Sequence, residues 1–245
     1  MMILASGSLL AADSNPKDDV KAAAAALGGE ANYTWHQTVE VPPDSQFKPG
    51  PTDGKTEKGG YTTLSFSFGD NTTEAVLNGT NGAINSPDNG WQTLAEATQG
   101  GPGPGTFLAR MVQNYKLPAA QAADLADQAK DLTSGTNGIS GDLTDDGAKA
   151  LLSFGGRRGG GANIANPKGS VTFTLTDGKL VKYSFHVTGT VSRNGNDMDI
   201  DRTTTVAITD VGATKVEVAG EEKIAVTFSK PRRAGINLPG VFDSD

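Results

Sequence analysis

The fold is decided by residues 171–188, which read VTFTLTDGKLVKYSFHVT. Apolar and polar residues alternate over 171–176 and again over 181–188, and this period of two is typical of a strand with one buried face. Between the two runs, Asp177-Gly178 is a two-residue turn of the type that closes tight hairpins. The stretch therefore predicts an antiparallel hairpin whose register is fixed by its buried face.

Further strands are predicted on both sides of this hairpin. Asn194-Gly195 offers a second turn, and Thr203–Thr209 and Lys215–Val218 are candidate strands that extend the hairpin into a meander. Residues 44–60, which are rich in Pro, Gly, Lys and Asp, are predicted to be an exposed loop. Alternating patterns upstream predict strands at 33–41, 62–68, 72–77, 83–84 and 90–94.

Helices are predicted before and within this series of strands. Asn15-Pro16 is typical of an N-cap followed by proline at the first helical position, and Gly28-Gly29 ends the helix. Apolar residues recur at helical spacing across 106–153, with a break at Leu117-Pro118. The order of elements indicates an α+β protein in which a helical insertion covers one face of a continuous antiparallel sheet.

The composition narrows the classes of function. The 245 residues carry a net charge of −7 and contain no cysteine. A negative chain lacks the basic surface that nucleic acid requires, and without cysteine there is no disulfide, thiolate metal site or cysteine nucleophile. No stretch is apolar over the ~20 residues of a membrane-spanning helix. The sequence predicts no cofactor and no metal.

The ends of the chain are predicted to lie outside the folded domain. Residues 2–12 are apolar and small and then turn polar at Asp13, which is typical of the second half of an export signal. We therefore interpret 1–14 as a residual signal or disordered segment, 15–229 as a single domain with a helical insertion at about 106–153, and 230–245 as a flexible tail. This interpretation predicts a periplasmic or secreted protein, and we expect a monomer.

Few residues suggest catalysis or metal binding. His36 and His186 are the only histidines; each falls on the polar face of its strand, and we interpret both as solvated. Asp197, Asp199 and Asp201 follow a period of two rather than the spacing of a calcium loop, which favours an exposed, charged strand edge. The glycine-rich runs 100–105 and 155–161 lack the lysine of a phosphate-binding loop. The catalytic prediction is therefore none.

Large apolar side chains are the remaining candidates for a site. Most are expected in the core, but a curved sheet with helices across its mouth can enclose a cavity for an apolar ligand. The cavity candidates are Trp35, Phe66, Phe68, Phe107, Met111, Phe173, Tyr183 and Phe185.

Several stretches resemble a known superfamily. The strand at 33–39, the Gly138–Thr144 segment with the helix that follows it, the hairpin at 170–191 and the strand at 203–212 are similar to those of LolA-like proteins, which include the periplasmic lipoprotein carrier and mycobacterial lipoproteins of the LppX and LprG type. The resemblance implies a strongly curved antiparallel sheet (a half-open β-barrel) covered by helices, with a hydrophobic cavity for acyl chains. The chain differs from the mycobacterial lipoproteins in having no lipid-anchoring cysteine.

The resulting expectation is an exported, non-catalytic protein whose sheet holds a lipid or a lipoprotein acyl chain. The alternative is an envelope sensor or scaffold that binds a protein partner without lipid transport, because the same fold serves more than one function. An open apolar cavity favours the carrier, and a filled core with an exposed patch favours the scaffold. A hydrolase is the third possibility and requires convergent carboxylates in a cleft.

Overall fold

The structure is a computed structural model that describes residues 15–45, 48–68, 71–86, 90–99, 101, 103–153, 163–193, 195–218 and 220. Its strands are β1 (Asn32–Glu40), β2 (Thr52–Glu57), β3 (Thr62–Phe68), β4 (Asn71–Asn78), β5 (Asn81–Ser86), β6 (Gly90–Thr93), β7 (Thr133–Gly135), β8 (Gly138–Asp142), β9 (Asn163–Thr176), β10 (Lys179–Arg193) and β11 (Asn196–Thr209). Its helices are α1 (Pro16–Gly29), α2 (Leu94–Gln99), α3 (Pro104–Gln113), α4 (Pro118–Gln128) and α5 (Asp145–Leu152).

All eleven strands form one antiparallel sheet with the order β6-β5-β4-β3-β2-β1-β11-β10-β9-β8-β7. The sheet is curved and open, and the helices cover its concave face, so the predicted fold class is confirmed. Every neighbouring pair is consecutive in the chain except β1 and β11, which meet in the middle of the sheet. The sheet therefore consists of two meanders joined along a central seam.

The predicted hairpin is the longest part of the sheet. β9 and β10 have 14 and 15 residues and pair from Thr176–Lys179 outward. Asp177 and Gly178 have φ values of 50° and 73°, and two successive positive φ angles are typical of the primed turn that matches strand twist. The second predicted hairpin is also present, because β10 and β11 pair as far as Arg193 and Asn196.

The first helix forms as its capping residues predict. The Asn15 side chain accepts a hydrogen bond from the Lys17 backbone N–H at 3.1 Å, and Pro16 is the first helical residue. Its buried side chains are Val20, Ala23, Ala24 and Leu27, and they pack against α4 and against β9 and β10. Since three of the four are small or β-branched, α1 lies close to its neighbours.

Two predictions about the sheet are wrong. Residues 52–57 are not part of an exposed loop but form β2, which pairs with β1 and β3. The strand has no apolar alternation because its concave-facing positions are Thr52, Gly54 and Thr56, all of them buried. Conversely, Lys215–Val218 is not a strand; this segment crosses the convex face, where Val218 packs against Val76 and Ala83.

The helical insertion contains more than helices. Between α4 and α5 the chain adds β7 and β8 to the end of the sheet, so that Ile139 lies opposite Phe173. α5 begins at the Thr144 cap, whose hydroxyl accepts a hydrogen bond from the Gly147 backbone N–H at 3.0 Å. The predicted terminal segments 1–14 and 230–245 and the glycine-rich run 155–161 lie outside the described residues.

Candidate functional site

Two rows of side chains cross the concave face, and the sheet register defines them. The first row follows five neighbouring pairings from β11 to β5 and consists of Ile208, Trp35, Gly54, Leu64, Ala75 and Ile84. The second crosses β11 to β8 and consists of Val206, Tyr183, Phe173 and Ile139. Each residue in the two rows is buried, so the concave face is an apolar surface that spans most of the sheet.

Trp35 lies at the centre of this surface, and its packing depends on Gly54. The indole is completely buried, and a Cβ on Gly54 would lie 2.0 Å from its Cζ2 atom and 2.2 Å from Cε2. A side chain at position 54 is therefore incompatible with the ring. This contact explains why a glycine stands in the middle of β2.

Helices cover the two halves of the concave face differently. α1 and α4 pack on each other, and α1 also packs on β9 and β10. On the other half, the short helices α2 and α3 pack on each other and on β5. The connector between α3 and α4 carries Tyr115, whose ring stacks against Trp35 at 6.2 Å and meets Phe66 edge-on at 6.1 Å.

Three tyrosines bring polar groups into this apolar layer. The Trp35 Nε1–H donates to the Tyr115 hydroxyl at 2.8 Å, and the Tyr183 hydroxyl donates to Gln121 Oε1 at 2.6 Å. Burial raises the pKa of Tyr33 to about 12, although a hydrogen bond with the Ala119 backbone acts in the opposite direction. Burial likewise raises the pKa of Tyr115 and of Tyr183 well above the ordinary value. All three hydroxyls are therefore protonated at neutral pH and act as neutral hydrogen-bonding groups.

The cavity candidates do not share one environment. Five of them are buried in the same core, namely Trp35, Phe66, Phe173, Tyr183 and Phe185. Met111 is half-buried and packs against that core, whereas Phe107 is 51% exposed on α3. Phe68 belongs to β3, but its side chain lies outside the described part of the structure. The structure thus brings six candidates together and leaves Phe107 at the surface.

Two grooves in the described part of the structure are lined by residues other than the cavity candidates. The larger, of about 900 Å³, lies on the convex face between the sheet and residues 210–217. Its wall includes Trp91 and mixed charges such as Lys55 and Glu74. The smaller, of about 720 Å³, lies between the start of α1 and the end of α4. The concave face is filled by its own aromatic side chains and by the helices above it.

His36 is exposed and His186 is partly exposed, which agrees with their predicted place on the polar faces of their strands, and each has an acidic neighbour. His36 Nδ1 lies 2.7 Å from Asp53, and His186 Nε2 lies 2.8 Å from Asp201. The register places them apart, since His36 is opposite Ala207 and His186 is opposite Thr203 on the intervening strand. Among the described residues, no group of three or more acidic or histidine side chains is arranged to hold a metal ion.

No helix in the described ranges is both long and apolar enough to cross a membrane.

Sequence reasoning missed Tyr115 and Gln121 as members of the site. Tyr115 continues the apolar spacing of α3, but the helix ends at Gln113 and the tyrosine turns toward Trp35 from the connector. Gln121 borders the buried stripe of α4, in which Ala122 and Leu125 are buried. The signal in the sequence was a glutamine, Gln121, beside the apolar stripe of α4. A buried tyrosine hydroxyl needs a hydrogen-bond partner, and such a glutamine can supply one.

No family model matches the chain, and no curated protein matches it. Its fold is similar to that of solved structures. These include the lipoprotein LppX of Mycobacterium tuberculosis (11% identity, 84% of this chain and 99% of LppX, TM-score 0.47) and LprF of Mycobacterium bovis (12% identity, 84% and 97%, TM-score 0.43). A LolA superfamily protein of Nitrosomonas europaea is similar at 9% identity over 83% and 96% of the two chains, with a TM-score of 0.35.

LppX and a LolA superfamily protein are among the proteins that the sequence was found to resemble. At such identities and TM-scores, the likeness concerns the fold and says nothing about a ligand of this chain.

Proposed function

We propose that the protein is an exported, non-catalytic binding protein that holds a lipid or a lipoprotein acyl chain against the concave face of its sheet. The observation that supports this is the pair of apolar rows that cross the sheet, with Trp35 at their centre. Apolar burial supplies about 0.8 kcal/mol per methylene group. One acyl chain laid along a row therefore gains enough free energy for micromolar binding.

Binding at this surface requires α2 and α3 to move away from the sheet. These helices have 6 and 10 residues and pack on each other, so they would move as one small unit. The hydrogen bond from Trp35 to Tyr115 holds the end of α3 against the core. Phe107 faces outward from the same helix and offers a first contact for an apolar ligand.

A second candidate is a sensor or scaffold that binds a protein partner without taking up lipid. The filled core favours it, because six of the cavity candidates already occupy the concave face with each other and with helical side chains. The two functions differ in one physical property. A carrier must open the helical cover to expose the concave face, whereas a scaffold keeps it closed.

The two tryptophans allow a direct test, because they lie on opposite faces of the sheet. Trp35 is buried in the concave core, and Trp91 packs in the cluster on the convex face. In a Trp91→Phe protein, Trp35 is the only tryptophan, and we expect its fluorescence to be quenched by a fatty acid brominated along its chain. The matched control is the Trp35→Phe protein, in which Trp91 reports the convex face and should not be quenched. Equal quenching in both proteins contradicts the concave site, and no quenching in either favours the scaffold.

Substitutions at the proposed surface provide a second test. We expect Phe66→Asp or Phe185→Asp to abolish uptake, since each places a carboxylate in the buried apolar core beside the two rows, and the exposed Asp199→Lys to leave uptake unchanged. Because the first two changes also threaten folding, Tyr115→Phe is the informative variant. It removes only the hydroxyl that accepts from Trp35, and it should speed uptake if the helical cover opens. An unchanged uptake rate with unchanged stability contradicts the opening.

A further inference from the structure

The strands β9, β10 and β11 extend together beyond the rest of the sheet as a three-stranded arm. β1 pairs with β11 only along Thr203–Thr209 and ends at Glu40, opposite Thr203. Val41, Pro42 and Pro43 follow, and since proline has no N–H to donate, the chain leaves the ladder there. Residues 196–202 of β11 pair with β10 on one side, and no described strand pairs with their other side.

This free edge differs from the other free edges of the described sheet. The sheet ends in β6 and β7, which have only 4 and 3 residues. The opposite side of the arm, at the start of β9, carries Pro167 and a register shift opposite 188–190, with Asn166 at a positive φ of 49°. Short strands, prolines, bulges and charged side chains are the devices that prevent a sheet edge from pairing. The register of residues 196–202 with β10 is continuous, and the device that this edge carries is the charge of Asp197, Asp199 and Asp201.

The two faces of this edge have opposite chemistry. Asp197, Asp199 and Asp201 lie on the convex side and are exposed, whereas Met198 and Ile200 lie on the other side, opposite Val191 and Gly189 of β10. Arg202 follows on the side of Met198 and Ile200, where its guanidinium donates a hydrogen bond to the Leu151 carbonyl oxygen. Met198 is 51% exposed. Contacts with β10 fix the orientation of two of the carboxylates. Asp199 accepts a hydrogen bond from the Thr190 hydroxyl at 2.7 Å, and Asp201 lies 2.8 Å from His186 Nε2.

We propose that the 196–202 edge binds an extended cationic segment of a partner protein, in which lysine or arginine alternates with apolar residues, as an added strand. Main-chain hydrogen bonds to the free edge would supply affinity, and the alternating side chains would supply specificity. Cationic residues would stand opposite the three aspartates, where opposite charges stabilise a cross-strand pair. Apolar residues would cover Met198 and Ile200. Since like charges directly opposite each other are destabilising, the same aspartates disfavour edge-to-edge pairing of two copies of this chain.

The probe for this site is a fluorescein-labelled peptide of alternating lysine and valine, titrated with the protein at low salt and followed by fluorescence anisotropy. We expect saturable binding, together with slower hydrogen exchange of the backbone amides at 196–202. The same peptide with methyl groups on its backbone nitrogens keeps the charge but cannot pair with an edge, and it should not bind. Equal binding of the methylated peptide would overturn the proposal.

Two double variants separate edge pairing from general attraction between opposite charges. Asp197→Asn with Asp199→Asn should weaken binding roughly tenfold. Glu57→Gln with Glu74→Gln removes the same charge from exposed positions on β2 and β4, which are inner strands of the sheet, and should have less than about a twofold effect. Equal losses in the two proteins, no binding of the alternating peptide, or a dimer formed through this edge would each overturn the proposal. The assay contains no lipid, so its result is independent of the proposed lipid binding.

Discussion

The contact between Gly54 and Trp35 predicts a large effect from the smallest possible side chain. Gly54→Ala places a methyl carbon 2.0, 2.2 and 2.6 Å from three atoms of the indole ring. Trp35 has little freedom to move, because it is fully buried, stacks against Tyr115 and donates a hydrogen bond to it. Overpacking of a core costs about 1–3 kcal/mol and sometimes more. With a rigid ring as the obstacle, we expect the free energy of unfolding to fall by about 3 kcal/mol.

Urea denaturation measures this effect. With a slope of about 2 kcal/mol per molar urea, the midpoint should fall by about 1.5 M. Gly29→Ala is the matched control, because a methyl group there meets no atom within 4 Å. It should be neutral or slightly stabilising, since alanine favours the helix.

A double-mutant cycle tests the cause. Trp35→Leu removes the three ring atoms Cζ2, Cε2 and Cη2 that the new methyl group would meet, so Gly54→Ala should cost only about 1 kcal/mol in that background. The reasoning is refuted if the two substitutions are additive, or if Gly54→Ala alone costs less than about 1 kcal/mol.

Three further predictions concern stability, each measured by urea denaturation. Asn15→Ala removes the acceptor of the Lys17 N–H and should cost about 1 kcal/mol; Asn15→Ser should restore most of it. Leu152→Ala, at a fully buried position of α5, should cost about 2–5 kcal/mol, and a cost within experimental error would contradict its place in the core. The contribution of Tyr33, Tyr115 and Tyr183 to stability should be lost as the pH rises above 10, because each tyrosine ionises in the unfolded chain at its ordinary pKa of 10.0, whereas burial raises the pKa in the folded chain. The slope of the free energy of unfolding against pH should be about −1.4 kcal/mol per pH unit for each tyrosine. Tyr183→Phe should therefore make this slope less steep by about 1.4 kcal/mol per pH unit.

The parts of the fold that depend on local patterns could be predicted from the sequence. The Asp177-Gly178 hairpin and the α1 cap involve residues close together in the chain, so their pattern is visible directly. β2 could not be predicted this way. Its concave-facing residues are two threonines and a glycine. The strand packs beside β1 because Gly54, which has no side chain, leaves room for the indole ring of Trp35. This packing is tertiary, and it overrides local propensity.

The candidate site was predictable only in part, for a similar reason. The buried aromatic residues follow a strand period and were identified as facing inward. The period cannot say whether inward-facing residues line a cavity or fill it, because that depends on the helices above them. Phe107 illustrates this limit: its helical spacing predicts an inward position, but the buried face of α3 is formed by Ala109 and Val112, and Phe107 is left at the surface.

The meeting of β1 and β11 in the middle of the sheet has a consequence for the order of folding. Each meander contains mostly contacts between neighbours in the chain, whereas the seam joins Thr34 to Thr209 across nearly the whole domain. Closing such a long loop carries the largest entropic cost of any pairing in the sheet. We therefore expect the two meanders to form early and the seam to form late. Opening of this seam would then split the domain into halves, each retaining its own hairpins, before either half loses its hairpins.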